Sequence, residues 1–546
     1  MSRTPLRCPP SRRLPMDDPS PLPTAERVQV AQAAGIIALG NVTSRIIGLA
    51  REMVKSGLFG ATGYVSALEV AVRVPTILYD LLVGGMINSA LIPVFSDYAS
   101  PARRKELWHL LSVLLSTISL ALVVLVLLGE LLAPWLVRLL AGGLAPPYQA
   151  VATDLLRVTL PAVVLLNAAG ILTSALYALK RFTFPAFTAS VFNGAVVVVA
   201  LLLGRRWGVR SMAVGLLLGA ALQVGLQLPG LRGARFRVIF DLRHPALARI
   251  GRLYLPILLG LVVDILAVLL SYNLASHTGD SSISWMQYAA TLIQFPLGLV
   301  VTAVSIAILP TLSRQASGDD LAPFRATLAQ GLRLVLSLVI PATLGLYVLA
   351  EPLIALIFEH GDFTPADTLA TAEALRCALL GLVAAAVDQP LIFAFYARKD
   401  TLTPALVGVG TTVLYALLAL GLQWLGVLTL PLLVFVNSVK LTAHAIAMLV
   451  LAHRRLGGMV GQGMWTMSLK ALFASMGMAV GVWEVRQALD GVVPSGLLGE
   501  AVVVGGASAA GAAIYGALAL LLGVQEIHLL RVAVGRGLNR LTGRRE

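Results

Sequence analysis

Apolar runs of about twenty residues or more, separated by short polar loops, fill the chain from residue 28 to residue 523. A bilayer-spanning helix needs about 20 mostly apolar residues. Fourteen segments meet that requirement: 28–53, 64–94, 108–137, 152–178, 184–204, 211–229, 247–275, 284–311, 327–349, 367–397, 402–424, 429–452, 465–486 and 497–523. The pattern predicts an all-α polytopic membrane protein with about 14 transmembrane helices. Proline falls inside these segments at Pro75, Pro93, Pro161, Pro256, Pro296, Pro310, Pro341 and Pro390. Each removes a backbone hydrogen bond and predicts a kink, tolerated in a membrane where protein or cavity water satisfies the freed groups.

The pattern repeats. Ala90 to Ser100 (ALIPVFSDYAS) resembles Ala307 to Ser317 (AILPTLSRQAS), and Pro134 to Leu140 (PWLVRLL) resembles Pro352 to Phe358 (PLIALIF). Leu176 to Ala186 (LYALKRFTFPA) resembles Phe395 to Ala405 (FYARKDTLTPA). The three pairs occur in the same order at offsets of 217, 218 and 219 residues. That offset spans six predicted helices, an even number, so the two halves run parallel. Parallel repeats of this kind build transporters whose substrate site lies between the halves near mid-membrane. The expected organisation is an N-lobe over 28–230 and a C-lobe over 231–456, two parallel six-helix lobes. Two extra helices over 457–524 stand outside the repeat.

Composition narrows the class. Of 546 residues, 58% are hydrophobic and 12% charged, against roughly 25% charged in soluble chains; the mean hydropathy is +0.86. The formal net charge of +14 is no sign of nucleic-acid binding, because the basic residues cluster in short loops where topology explains them. With the N-terminus cytoplasmic, the cytoplasmic segments hold 27 of the 41 Lys and Arg. Both termini are therefore expected inside, residues 1–27 as a disordered Pro/Arg-rich tail and 525–546 as a basic tail. The loop carrying Arg205, Arg206 and Arg210 runs against this bias. Cys8 and Cys377 are too far apart in sequence and setting to suggest a disulfide framework or a metal site. Walker A, Rossmann and nucleophile-elbow motifs are absent from the sequence, which argues against an ATP-driven pump or a hydrolase; the chain is not expected to be an enzyme.

The candidate chemistry is charge inside apolar segments. The first two spans carry Arg45, Arg51, Glu52, Lys55, Glu69, Arg73 and Asp80. A charge at the centre of a membrane helix costs about 2.5–3.5 kcal/mol on insertion scales, so these are expected to line a polar cavity. Arg45, Arg51 and Arg73 are candidate contacts for an anionic head group, since guanidinium forks suit phosphate oxygens. Glu52, Glu69 and Asp80 are expected to hold the cations or to bind sugar and peptide groups. Arg51, Glu52 and Lys55 also sit at the end of the first span, where charges serve as interfacial anchors. Asp264 and Asp388 are candidates for coupling to Na⁺ or to a proton; Lys440 and His444, one helical turn apart, are alternative structural partners for them.

The residues SRIIGLARE (Ser44 to Glu52), LFGATG, VRVP and ALIPVFSDY resemble the opening of the MurJ (MviN) lipid II flippases of the MOP exporter superfamily. The resemblance continues through FPAFTASVFN (Phe184 to Asn193), SISWMQYA (Ser282 to Ala289), FPLGLV (Phe295 to Val300), AILPTLS and EPLIALIFEHGDFTPAD (Glu351 to Asp367). It implies a protein of the bacterial cytoplasmic (inner) membrane that moves the undecaprenyl-pyrophosphate-linked peptidoglycan precursor between leaflets by alternating access, with a cationic cavity for the head group and the last two helices as a groove for the lipid tail. It implies a lipid-linked glycan and membrane lipids as partners, alongside other cell-wall synthesis proteins, no cofactor, and coupling to Na⁺, protons or the membrane potential. Arg45, Arg51, Glu52 and Arg73 match charged positions of the family. Ser66, Tyr79, Asp80, Val83 to Gly85, Thr291 and Gln294 depart from it, and with them some expected cavity charges are lost. Export of another polyprenyl-linked oligosaccharide or amphiphile, and a non-transporting role as a scaffold for envelope synthesis, are the alternatives.

Overall fold

The computed structural model describes residues 24–84, 90–234, 236–241, 243, 245–316, 318, 320–457, 461–490, 492–493 and 496–526. Residues 1–23, with Cys8, and the tail from 527 on lie outside them. Residues 24–27, expected in the N-terminal tail, already belong to the first helix.

The helices run in chain order as α1 (Thr24–Phe59), α2 (Gly63–Tyr79), α3 (Ile92–Tyr98), α4 (Arg104–Leu131), α5 (Ala133–Ala141), α6 (Pro146–Thr159), α7 (Ala162–Ala178), α8 (Thr183–Ala186), α9 (Thr188–Trp207) and α10 (Arg210–Gln227). They continue as α11 (Pro245–Ser276), α12 (Ser282–Pro296), α13 (Thr302–Gln315), α14 (Ala322–Val348), α15 (Ala350–Phe358), α16 (Pro365–Leu379), α17 (Leu382–Ala397), α18 (Leu402–Trp424), α19 (Leu430–Leu456), α20 (Met464–Asp490) and α21 (Leu497–Leu521). Among the described residues, nine helices are long and apolar enough to cross a membrane, and eleven if two bent pairs each count as one span. The remaining three expected segments are helical over their described residues, in α1, in α2 with α3, and in α11.

The repeat is visible in the backbone itself. In the first half a π turn at Asp80–Gly84 follows α2; in the second a π turn at Leu297–Val301 joins α12 to α13. The short α5 recurs as α15, and the pair α6–α7, bent by 41°, recurs as α16–α17, bent by 45°. Lys180 and Lys399, the two described non-glycine residues with positive φ (58° and 62°), close these two bent pairs at equivalent positions. Side chains rarely tolerate that left-handed conformation, so its recurrence marks a shared local fold. The halves meet where α2 crosses α12. There Ser66 Oγ lies 3.4 Å from Ser284 Oγ, and Gln287 Nε2 donates to Glu69 Oε2 at 3.4 Å. Both pairs are 218 residues apart, so equivalent positions touch across the axis that relates the repeats.

Proline leaves a carbonyl four residues earlier without its helical donor, and two of these carbonyls have found new ones. Pro75 frees the carbonyl of Ala71, which accepts from Thr159 Oγ1 at 2.9 Å. Pro341 frees that of Ser337, which accepts from Tyr515 Oη at 2.6 Å. The second bond fastens α21 to α14. Around it Leu336, Ile340, Met478, Val482 and Ala507 form one apolar cluster. Small residues bring α20 and α21 together, as membrane interfaces favour: a methyl group at Gly511 would lie 2.6 Å from Val482. The two bends have different causes. The first falls at Pro161, as expected from sequence. The second falls at Leu380–Gly381, not at Pro390, and there α19 packs against Gly381 so closely that a Cβ would lie 2.8 Å from Ser438 Cα.

Candidate substrate-binding site

The charged residues of α1 follow one another over three turns. Residues three apart on a helix share a face, so Glu52 and Lys55 meet and form an ion pair. Lys55 Nζ also reaches Glu69 Oε1 on α2 at 2.5 Å. Arg51 closes on Glu52 Oε1 with two bonds, Nη2 at 2.7 Å and Nε at 3.1 Å, and donates to Asn193 Oδ1 on α9 at 3.0 Å. The Tyr288 ring lies 4.6 Å below Lys55 Nζ. One polar chain therefore runs Asn193–Arg51–Glu52–Lys55–Glu69–Gln287 and joins α9, α1, α2 and α12. Glu52 is 6% and Lys55 2% exposed. These are not interfacial anchors: they are buried, and each charge has an opposite partner, which burial demands.

Arg45 and Arg73 stand apart from this chain. Among the described residues neither has a carboxylate within 4 Å. Arg45 Nη1 lies 3.4 Å from the backbone carbonyl of Gln294. Its guanidinium rests against Gly298, inside the second half's π turn, where a Cβ would collide with it. The Arg73 guanidinium sits over the Tyr272 ring of α11, 5.7 Å from its centre, and its Nε is buried with no hydrogen-bond partner. Asp80 is exposed at the start of the first π turn. The two free cations thus bridge from the first half toward α12, the second π turn and α11.

In the second half, His444 Nδ1 on α19 contacts Asp388 Oδ1 on α17 at 2.8 Å. Lys440 sits 5.8 Å from the centre of the Tyr415 ring, whose hydroxyl is 2.7 Å from Ser271 Oγ. Asp264 is exposed on α11, with no ion pair within 4 Å among the described residues. The structure therefore joins Asp388 to His444 and leaves Asp264 separate. No group of three or more His, Cys, Asp or Glu among the described residues is placed to hold a metal ion.

Where α1 ends, the two halves are pinned by backbone contacts. The amide of Asp362 donates to the Gly57 carbonyl at 3.2 Å, and Tyr288 Oη donates to that of Gly60 at 3.0 Å. Gly60 and Gly361, at φ of 63° and 61°, pack so tightly that a Cβ on either would strike the opposite chain. Asn193, Gln287, Tyr288, Tyr272 and Gly298 were not singled out from sequence. The offset of 218 residues would have exposed Gln287 as the partner of Glu69; nothing local marks the other four.

The profile of the family described as lipid II flippase MurJ matches residues 55–498. The chain belongs to the MurJ lipid II flippase family. A lipid II flippase MurJ of Burkholderia cenocepacia is 30% identical over 383 residues, 68% of this chain and 74% of that protein. A probable lipid II flippase MurJ of Haemophilus influenzae is 27% identical over 525 residues, 90% of this chain and 99% of that protein. A solved MurJ structure in an inward closed conformation superposes with a TM-score of 0.75 at 23% identity, over 90% of this chain and 99% of that one. An inward-facing MATE transporter of the MOP superfamily gives 0.63 at 14% identity, over 76% and 95%. These last two are likenesses of fold. MurJ membership and the run of apolar helices make the chain a multi-pass membrane protein of a transporter family.

Proposed function

We propose that this protein is a flippase that carries lipid II, the undecaprenyl-pyrophosphate-linked peptidoglycan precursor, across the bacterial inner membrane by alternating access of its two repeats. The observation that carries this reading is the pair Arg45 and Arg73, two cations at the seam between the halves with no carboxylate within 4 Å among the described residues. An unpaired arginine inside a membrane protein is costly and is kept where an anion will meet it. Pyrophosphate supplies that anion, and each charge-assisted hydrogen bond to it contributes about 1.5–3 kcal/mol. Arg51, Glu52, Lys55 and Glu69 act as the frame that holds α1 against α2, with Arg51 partly exposed at its edge and Asp80 available to sugar or peptide groups. Residues 28–230 and 231–456 act as the two moving lobes, and 457–524 as the groove for the lipid tail, with both termini in the cytoplasm. Asp388 and His444 suit a proton better than Na⁺, because the imidazole already occupies the carboxylate. The test is rescue of a flippase-depleted cell together with accessibility of lipid II at the outer face. Wild type is expected to rescue; Arg45→Ala and Arg73→Ala are expected to express and not rescue. Rescue by the double variant would favour a scaffold over a carrier and sink the reading.

A further inference from the structure

Arg205 and Arg206 in the last turn of α9 and Arg210 at the start of α10 lie at the end of the molecule opposite most of the basic loops, where topology gives no reason for positive charge. The structure gives a local one. A groove of about 680 Å³ opens there between the ends of α1 and α2, the middle of α6, and the α9–α10 turn. That volume falls within the ~300–1,000 Å³ range of ligand sites. Its walls are apolar, with Phe59, Val151, Val158 and Val214 among them, and the exposed Arg206 and Trp207 line its solvent-facing side. Arg210 is spoken for by Asp154 at 3.2 Å. Arg206 has no ion pair within 4 Å among the described residues, and Asp362, the one carboxylate on the lining, does not pair with it. Trp207 and Tyr64 are each about half exposed, at 51% and 48%, as amphipathic rings are at the headgroup level of a bilayer. Gly208, at φ 56°, makes the tight turn that sets Arg206 beside the groove.

We propose that this groove seats an anionic phospholipid, with its phosphate on Arg206 and one acyl chain along Phe59, Val151, Val158 and Val214. An apolar slot with one free guanidinium on its solvent-facing side, at the level of interfacial aromatics, matches the amphiphile in both polarity and order. The seat adjoins the contact of Asp362 with the end of α1, so the lipid packs against the closure between the halves. It is separate from the charged chain around Lys55 and stands whether or not the cargo is lipid II.

The test is native mass spectrometry of the full chain in detergent, titrated with phosphatidylglycerol and, separately, phosphatidylethanolamine. Wild type is expected to retain one phosphatidylglycerol in preference to phosphatidylethanolamine. Arg206→Ala should weaken that binding about fivefold, the worth of one basic residue beside anionic lipid, while Arg206→Lys keeps it. Val214→Trp, which fills the slot and spares the charge, should weaken it as well, and remains decisive should Arg206→Ala misfold. Arg205→Ala, outside the lining, should stay within twofold of wild type. Equal loss in Arg205→Ala would mean a diffuse field and overturn the seat, as would equal retention of the two lipids or an unaffected Val214→Trp. Displacement by inorganic pyrophosphate would make it a soluble-anion site, and displacement by undecaprenyl pyrophosphate alone would make it part of the cargo path; either result overturns the proposal.

Discussion

Lys55→Met is the sharpest perturbation of the charged frame. Lys55 Nζ lies against both Glu52 and Glu69, and the side chain is almost wholly buried. Removing it leaves the largely buried carboxylates of Glu52 and Glu69 with Arg51 as the one cation within 4 Å of either among the described residues, and Glu69 with the Gln287 amide at 3.4 Å. Breaking a buried pair by deleting one partner costs about 3–5 kcal/mol. Removing Glu69 as well changes the sign of the problem: in Lys55→Met/Glu69→Gln one cation and one anion are gone, and Arg51 and Glu52 remain as a neutral pair. The double variant should regain most of the loss, and Glu69→Gln alone should cost less than Lys55→Met, because Lys55 keeps Glu52. Thermal unfolding of the full chain in detergent reads this out. At about 2 °C per kcal/mol, the value for large domains, Lys55→Met should melt at least about 6 °C below wild type. A variant that melts with wild type, or a double variant that melts no higher than Lys55→Met, would refute the view that this chain is a mutually compensated frame.

Three further outcomes are expected. Gly298→Ala should lower lipid II translocation in a reconstituted assay while leaving the melting temperature within a few degrees, because its methyl group meets the movable end of Arg45 rather than backbone. Tyr515→Phe should destabilise by about 1–3 kcal/mol, the cost of an unsatisfied buried carbonyl, and that cost should largely vanish in Pro341→Ala, where Ser337 recovers its helical donor; equal costs in both backgrounds would contradict the assignment. At the turn before α18, partial burial acts to raise the Asp400 carboxyl pKa, but bonds from the Thr403 hydroxyl and amide and the nearby Arg455 outweigh it and hold the carboxyl below its ordinary value. A depressed folded-state pKa gives stability that is full above the unfolded value of about 4 and is lost as pH falls through the folded one. Asp400→Asn should therefore melt below wild type at pH 7, with the gap closing in acid.

The chemistry of the charged site and the scaffold were legible to different depths. Apolar runs gave the helices, and three repeated motifs gave the parallel halves, because hydropathy and local backbone need are written into each segment. Lys180 and Lys399 illustrate this: their motifs match, and so do their left-handed conformations. The partition of the charges was not legible. From spacing, Arg45 and Arg51 read as comparable head-group contacts, and Arg51, Glu52 and Lys55 as plausible anchors. In the fold Arg51 is committed to Glu52 and Asn193, while Arg45 crosses to Gly298 and Arg73 stacks over Tyr272.

By itself, then, the sequence determined the all-helical membrane architecture, the repeat, and the presence of more charge than lipid would accept. Tertiary structure decided which charges neutralise one another and which remain free. Neutralisation depends on which helices touch, and α1, α2, α9 and α12 come together although α2 and α12 meet at positions 218 residues apart. It also placed Arg206 on a groove that no single helix shows, since five separate helices form it.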